Sequence, residues 1–421
     1  MAVAAHAAEP VLASLSEVKP VLEAMRDELP PALAQIDDAN WNSWSRRQDA
    51  DIRARLERGE IDSMINLLLF GTSFTERPRI QFEQVGEASR SGLLRSRVDD
   101  LLRGLRSPSG NDRLVLLRNL IRRQGLDPDA TDGKLGLFVY ENLQRVLRES
   151  IQFGERVQAA PRDPIFRDRG VSLDATIAPN FVIEETLREL KNRGVLGQGS
   201  VTRVAVIGPG LDFTDKQSGY DYYPQQTLQP FAVHDSLTRL DLARDVKVTV
   251  FDISSRVLEH VERARELGRQ GRSYTIQLPR DPQQGWTPAA VDYWRAFGDR
   301  SGEDVEPTAP PSGLDARAVE IRPDVVLASQ PVDLNVVLQR LDLPAAERFD
   351  LIVATNVFVY YDRLQQALAL QNVSTLLKPG GILLTNNQLP EIPQIPMRKL
   401  GETAVRYSER LGETVVWYRR E

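Results

Sequence analysis

From Trp41 to about Ala160, apolar residues recur at i, i+3 and i+4, the spacing of one face of a helix. The clearest runs are IDSMINLLLF (Ile61–Phe70), DRLVLLRNLIRRQGL (Asp112–Leu126) and GLFVYENLQRVLRESIQ (Gly136–Gln152). Gly125 and Pro128 close the second of these. Residues 1–40 are rich in Ala and Pro, with a helical patch from Ser16 to Leu29. The pattern predicts a helical N-terminal domain over 1–160, with roughly three to six helices of ordinary length. A stretch rich in Pro, Asp and Arg follows from Ala160 to Asn180, then the helical run FVIEETLRELKNRGVL, stopped by Gly194. Residues 161–200 therefore read as a linker loop and a helix.

From Val201 the period changes. Apolar runs of strand length alternate with helical stretches, which argues βαβ units and a parallel sheet. The strands expected are TRVAVIG (Thr202–Gly208), VKVTVFD (Val246–Asp252), VVLASQ (Val325–Gln330), DLIVATN (Asp350–Asn356) and GILLTN (Gly381–Asn386). ETAVRYSE and ETVVWYRR, on either side of Leu411-Gly412, form an antiparallel hairpin. Residues 201–421 are thus an α/β domain. An insertion at about 272–323 has a Pro/Gly-rich middle, GEDVEPTAPPSG, and reads as a surface excursion.

Composition narrows the chemistry. The chain has 421 residues, 41% of them hydrophobic, enough for a sizeable core in two or three domains. Its net charge of −6 argues against nucleic acid as a general partner. There is no Cys, which removes disulfides, thiolate metal sites and a thiol nucleophile together. His6, His234 and His260 are scattered, so no metal site is expected. No run approaches the ~20 apolar residues of a membrane helix, and no membrane partner is expected. Ala5-His6-Ala7 resembles the tail of a secretory signal without the apolar stretch that precedes one. The expected location is cytoplasmic, or exported if a signal once stood before residue 1.

Three strand ends carry candidate chemistry. In VAVIGPGLDFTDK (Val204–Lys216) a buried strand runs into Gly208-Pro209-Gly210. Glycines there let the backbone pass close to a ligand, and a following helix offers free N–H groups. VKVTVFDIS ends on Asp252, placed to accept hydrogen bonds from ribose hydroxyls. FDLIVATNVFVYYDRLQQALALQNVSTLLKPGGILLTNN (Phe349–Asn387) reads strand, turn, helix, Lys-Pro-Gly-Gly turn, strand, with Pro379 and Gly380 ending the helix. Each also has a plain structural reading: a strand–helix turn, a helix-start cap and ordinary βαβ packing.

With the terminal hairpin, these motifs make residues 180–421 resemble the class I S-adenosylmethionine-dependent methyltransferases, whose sheet finishes with a reversed strand. NVFVYYD and LLKPGGILL are most similar to the chemotaxis glutamate methyltransferases. The resemblance implies a Rossmann-like methyltransferase sheet that binds S-adenosylmethionine. It implies that Gly208, Pro209 and Gly210 meet the methionine portion and that Asp252 and Ile253 meet the ribose. Asp333 and Leu334 would lie by the adenine, and Asn356 and Val357 again by the methionine portion. The family pattern at the first turn is acidic-x-Gly-x-Gly-x-Gly. Here Val206 takes the acidic place and Asp212 the last glycine.

A hydroxyl or amine acceptor needs a base, and Asp212, Asp215 and Tyr360 are the candidates. The loop after the turn adds Tyr220, Asp221, Tyr222 and Tyr223, either facing the site or simply packing a soluble loop. Arg167, Asp168 and Arg169 are a candidate lid or a salt-bridged turn, and TSFTERPR (Thr72–Arg79) faintly resembles a segment near the cofactor of chemotaxis methyltransferases. His234 reads as a packed or surface side chain. The expected activity is methyl transfer to an unidentified acceptor. A non-catalytic binding protein on the same fold stays open, because Val206 and Asp212 depart from the pattern. A nicotinamide enzyme is disfavoured by the missing third glycine, the long gap to Asp252 and the terminal hairpin.

Overall fold

Strands whose residues are buried on both faces belong in the middle of a layered α/β structure. The stretch Val204–Ile207 is buried throughout, as are Leu351–Ala354 and Ile382–Thr385. The computed structural model describes residues 9–131, 133–159, 170–172, 177–214 and 220–421.

The chain opens with β1 (Pro10–Leu12) and α1 (Leu15–Ala24), then the long α2 (Asp38–Phe70). The bundle helices α3 (Val85–Arg90), α4 (Leu93–Arg106), α5 (Asp112–Arg123) and α6 (Lys134–Ala159) follow, and α7 (Ala178–Asn192) leads into the sheet. Next come β2 (Arg203–Ile207), α8 (Gln229–Arg239), β3 (Lys247–Asp252) and α9 (Ser255–Arg269). The insertion holds β4 (Tyr274–Arg280), α10 (Pro288–Ala296), β5 (Gly302–Val305) and β6 (Asp315–Ile321). The chain returns through α11 (Pro323–Ala328), β7 (Ser329–Asp333), β8 (Gln339–Leu341) and β9 (Phe349–Ala354). It ends with α12 (Arg363–Leu376), β10 (Leu377–Thr385), β11 (Met397–Arg406) and β12 (Gly412–Arg420).

Among the described residues the main sheet has seven strands, ordered β11-β12-β10-β9-β2-β3-β7. β2 lies parallel to both β3 and β9, β7 is parallel to β3, and β10 is parallel to β9. β12 alone runs against its neighbours β10 and β11. Numbered by their order in the chain, the strands lie 3-2-1-4-5-7-6, the last one reversed and inserted between the fifth and sixth.

One sheet face presents Ala205, Ile207, Phe251, Ile352 and Ala354 to α1, α12 and the first half of α2. The other presents Val204, Val206, Val248, Val250 and Val353 to α7 and α8. α2, about 50 Å long at ~1.5 Å per residue, serves two cores. Its Trp41, Trp44 and Ile52 join the sheet core, whereas Ile61–Phe70 pack with α4, α5 and α6. β1 pairs antiparallel with β8, from Pro10 opposite Leu341 to Leu12 opposite Gln339.

Two expectations need correction. The apolar Val325–Ala328 is a turn of α11, and the third strand is the more polar Ser329–Asp333. That strand is an edge, where Pro331 costs no ladder bond. The 272–323 insertion is not a bare surface excursion. β4, β6 and β5 form an antiparallel sheet of their own, and Ile276, Trp294, Phe297, Val319 and Ile321 are buried beneath it. No helix among the described residues is long and apolar enough to cross a membrane.

Candidate functional site

The carboxyl ends of the parallel strands build a cleft. β2 delivers Gly208 and Gly210, with φ of 63° and 68°. A Cβ on Gly208 would come within 2.9 Å of Val357 Cγ2, so this position needs glycine for both conformation and space. β3 ends on Asp252, which is 5% exposed. Its Oδ1 accepts the Ser254 N–H at 2.8 Å. Burial pushes the carboxyl up to about 7, against the opposing pull of the Ser254 and Ile253 amides and the Arg256 guanidinium. Asp252 is therefore not the solvated cap that a plain reading of the strand end allowed.

β9 delivers Asn356, a non-glycine residue at φ 59°. Asn386 holds it there: Asn356 N–H donates to Asn386 Oδ1 at 2.8 Å, and Asn386 Nδ2 donates to Asn356 Oδ1 at 2.5 Å. Strained backbone held this firmly at a strand tip is a mark of functional sites. Leu334 joins the cleft through its N–H, which donates to Asp252 O at 3.0 Å.

The strand tips enclose about 50 Å³, lined by Gly208, Gly210, Asp252, Ile253, Leu334, Asn356, Val357 and Tyr360 among others. Pro209 and Asp333 do not line it. Pro209 is buried in the turn. Asp333 stands at the rim, where Arg53 of α2 binds it through two nitrogens at 2.7 and 3.2 Å. Arg53 also donates to Ile253 O at 3.2 Å, and Arg55 to Tyr360 O at 2.8 Å. Val171 and Ser172 complete the cover. Val171 N–H donates to Arg55 O at 3.0 Å, and Ser172 N–H to the Tyr360 hydroxyl at 3.3 Å. A Cβ on Gly59 would stand 1.8 Å from Val171 O, so glycine lets this strap lie directly on α2.

Asp212 faces elsewhere. It lines a second cavity of about 700 Å³ with Tyr220, Tyr223, Gln226, Trp286, Tyr407 and Glu413. Its carboxylate accepts the Tyr223 hydroxyl at 2.6 Å and Gln226 Nε2 at 3.1 Å. Asp212 and Tyr360, both base candidates, thus stand in different hollows. Asp215, Arg167, Asp168 and Arg169 lie outside the described residues. Asp221 is a clamp: its buried carboxylate accepts the N–H groups of Thr72 and Ser73 and the Thr72 hydroxyl. That contact joins TSFTERPR to the loop after the glycine turn. Tyr222 stacks edge-on against Tyr223, with ring centroids 5.0 Å apart. His234 meets Ser301 Oγ at 3.0 Å, and burial lowers its pKa.

Sequence reasoning missed the arginines that assemble this end of the molecule. Arg53 covers the cleft. Arg113 of α5 donates to the carbonyls of Phe213 and Tyr223, tying the bundle to the loop after the glycine turn. Each is one Arg among many, and no local spacing marks it. Glu413 of β12 and Trp286 of the insertion were also missed, since neither belongs to a motif.

No protein-family model matches the chain, and none of the curated proteins matches it. Among solved structures, a TehB-like SAM-dependent methyltransferase from Corynebacterium glutamicum is 9% identical with a TM-score of 0.29, over 65% of this chain and 97% of that one. The magnesium protoporphyrin IX methyltransferase of Synechocystis, solved with bound SAM, is 11% identical with a TM-score of 0.28, over 58% and 81%. TrmN from Thermus thermophilus is 13% identical with a TM-score of 0.27, over 58% and 52%. Likenesses this distant carry no argument, so the fold is assigned on topology. The Rossmann order is 3-2-1-4-5-6. With a reversed strand set between its fifth and sixth positions, this chain has the class I S-adenosylmethionine-dependent methyltransferase fold.

Proposed function

We propose that the protein transfers a methyl group from S-adenosylmethionine to an acceptor held in the large cavity. One observation carries this reading. A buried carboxylate, Asp252, ends the second strand and shares a cleft with the positive-φ turn Gly208–Gly210. These are the groups a nucleoside with a charged tail needs at the switch point of a doubly wound sheet.

The donor set fits S-adenosylmethionine. Asp252 would accept the ribose hydroxyls, and the amides of Ile253 and Leu334 lie beside it. Gly208, Gly210, Asn356 and Val357 would border the methionine portion. Asp333 would meet the adenine amino group only after Arg53 released it. The volume fits less well: about 50 Å³ is far below the several hundred Å³ of a small-molecule pocket. Binding therefore requires α2 or the Val171–Ser172 strap to move outward.

The bound cofactor would supply an electrophilic sulfonium methyl group. The chain's own part would be to orient the acceptor and exclude water. Asp212 is the better base candidate, because it lines the larger cavity and follows directly on the glycine turn. Tyr360 is better read as cleft wall, since its hydroxyl accepts the Ser172 N–H.

The cover of Arg53, Arg55 and Val171 favours a second reading, a non-catalytic binding protein on this fold whose strand-tip cleft does not take the cofactor. Calorimetric titration with S-adenosylmethionine, S-adenosylhomocysteine and NAD separates the two. Micromolar binding of the first two, with none for NAD, supports methyl transfer. No binding by any of them supports the second reading.

A further inference from the structure

The 700 Å³ cavity is lined by four separate parts of the chain, one of them the start of α7 with Ile177, Ala178 and Phe181. The loop after the glycine turn gives Asp212, Tyr220 and Tyr223. The insertion gives Trp286, and the terminal hairpin gives Tyr407 and Glu413. Insertion and hairpin are pinned together: Thr287 N–H donates to Tyr407 O at 3.0 Å and Glu409 N–H to Gly285 O at 3.3 Å. The volume is within the range of small-molecule sites.

The walls carry several aromatic rings, and the half-buried charges among the described lining residues, Asp212 and Glu413, are acidic. Glu413 is the telling residue. Its Oε2 is buried and has no hydrogen-bond partner among the described residues. Burial raises its pKa. An orphaned carboxylate oxygen in a cavity wall is costly unless something pairs with it. Aromatic faces attract cations through their quadrupoles. Arg410 also lines the cavity, but it is exposed.

We infer that this cavity binds a small organic amine in its ammonium form, with Glu413 and Asp212 taking the charge and the Tyr and Trp rings taking the apolar body. That the amine is the methyl acceptor rests on the function proposed above, whereas the binding itself does not. A carboxylate ligand, which likeness to the glutamate methyltransferases would suggest, meets the wrong charge here.

The test is calorimetry on the full chain with three probes of one shape: phenethylamine, phenethyl alcohol and 3-phenylpropionate. Phenethylamine should bind about tenfold more tightly than the alcohol, the worth of one charge-assisted hydrogen bond, and the acid should not bind. Glu413→Gln should remove most of that preference and leave alcohol binding unchanged. Equal binding of amine and alcohol, binding of the acid, no amine binding at millimolar concentration, or an unchanged preference in E413Q would each overturn the inference. S-adenosylmethionine is titrated into the same sample. Amine binding without cofactor binding sinks methyl transfer and keeps this site, and the converse sinks this site alone.

Discussion

Arg53 holds Asp333 with two guanidinium nitrogens, joining the long helix α2 to the tip of the third strand. The same side chain meets Asp49 one turn earlier, at 3.1 Å. The Asp333 side chain is 55% exposed, so the pair contributes at most about 1 kcal/mol to stability. Its larger effect is positional, because it ties α2 to the rim of the cleft. Arg53→Met should therefore change the unfolding free energy by less than about 1 kcal/mol. It should speed association of S-adenosylhomocysteine severalfold in stopped-flow fluorescence. An unchanged rate would mean that the cover opens by another route.

Asp252 makes stability depend on pH with a definite sign. Its native carboxyl is raised from 3.8 to about 7. Between those values the native state binds more protons than the unfolded chain, so stability falls as pH rises through the window. Asp252→Asn removes that loss. The variant should melt close to wild type near pH 4 and above it at pH 8, as scanning calorimetry would record. A variant melting below wild type at pH 8 contradicts the buried-charge account.

The same carboxylate is the proposed ribose ligand. Asp252→Ala should weaken S-adenosylmethionine binding by more than tenfold, about 1.4 kcal/mol or more. Wild-type affinity should also rise from pH 6 to pH 8, because only the ionised form accepts both hydroxyls. Unchanged affinity in D252A rules out the ribose assignment.

Asn356 tests how much strain the strand tip stores. A left-handed residue with a Cβ costs about 1–2 kcal/mol, and Asn bears it better than most. Asn356→Ala also loses the side-chain bond from Asn386, worth about 1 kcal/mol. Urea unfolding should show N356A less stable by about 2 kcal/mol. Asn356→Gly should lose less, since glycine relieves the backbone.

Arg97 is a structural counterpart to the cleft residues. Fully buried, it donates to the carbonyls of Leu68, Gly71, Arg77 and Pro78 around the end of α2. Burial lowers its pKa to about 10, so it stays charged at neutral pH. Lysine cannot reproduce the planar fork. Arg97→Lys should lower stability by about 2–4 kcal/mol, measured by urea unfolding, through carbonyls left unpaired.

The sequence discloses what is local. Val204–Ile207 and Leu351–Ala354 are readable as strands because burial on both faces makes them continuously apolar. Gly208, Asp252 and Asn356 are readable because each stands where such a run ends. β7 misleads because it is an edge: Ser329-Gln330-Pro331 carries little apolar signal, while the buried Val325 and Val326 just before it are helical. The cover of the cleft leaves no trace in sequence. Arg53 and Asp333 are 280 positions apart, and nothing near either one announces the other. Glu413 is hidden in the same way, because its setting is made by the insertion and the hairpin together.

The pairing of β1 with β8 bears on how the protein is made. Pro10 finds its partner at Leu341, so β1 leaves the ribosome long before the segment it joins. Through that interval Val18, Val21, Leu22 and Trp41 have no sheet to cover. Contacts this distant in sequence slow folding and leave apolar surface open to association. Deleting residues 1–14 should thus cost the native sheet little of its order but change the yield of soluble protein during synthesis.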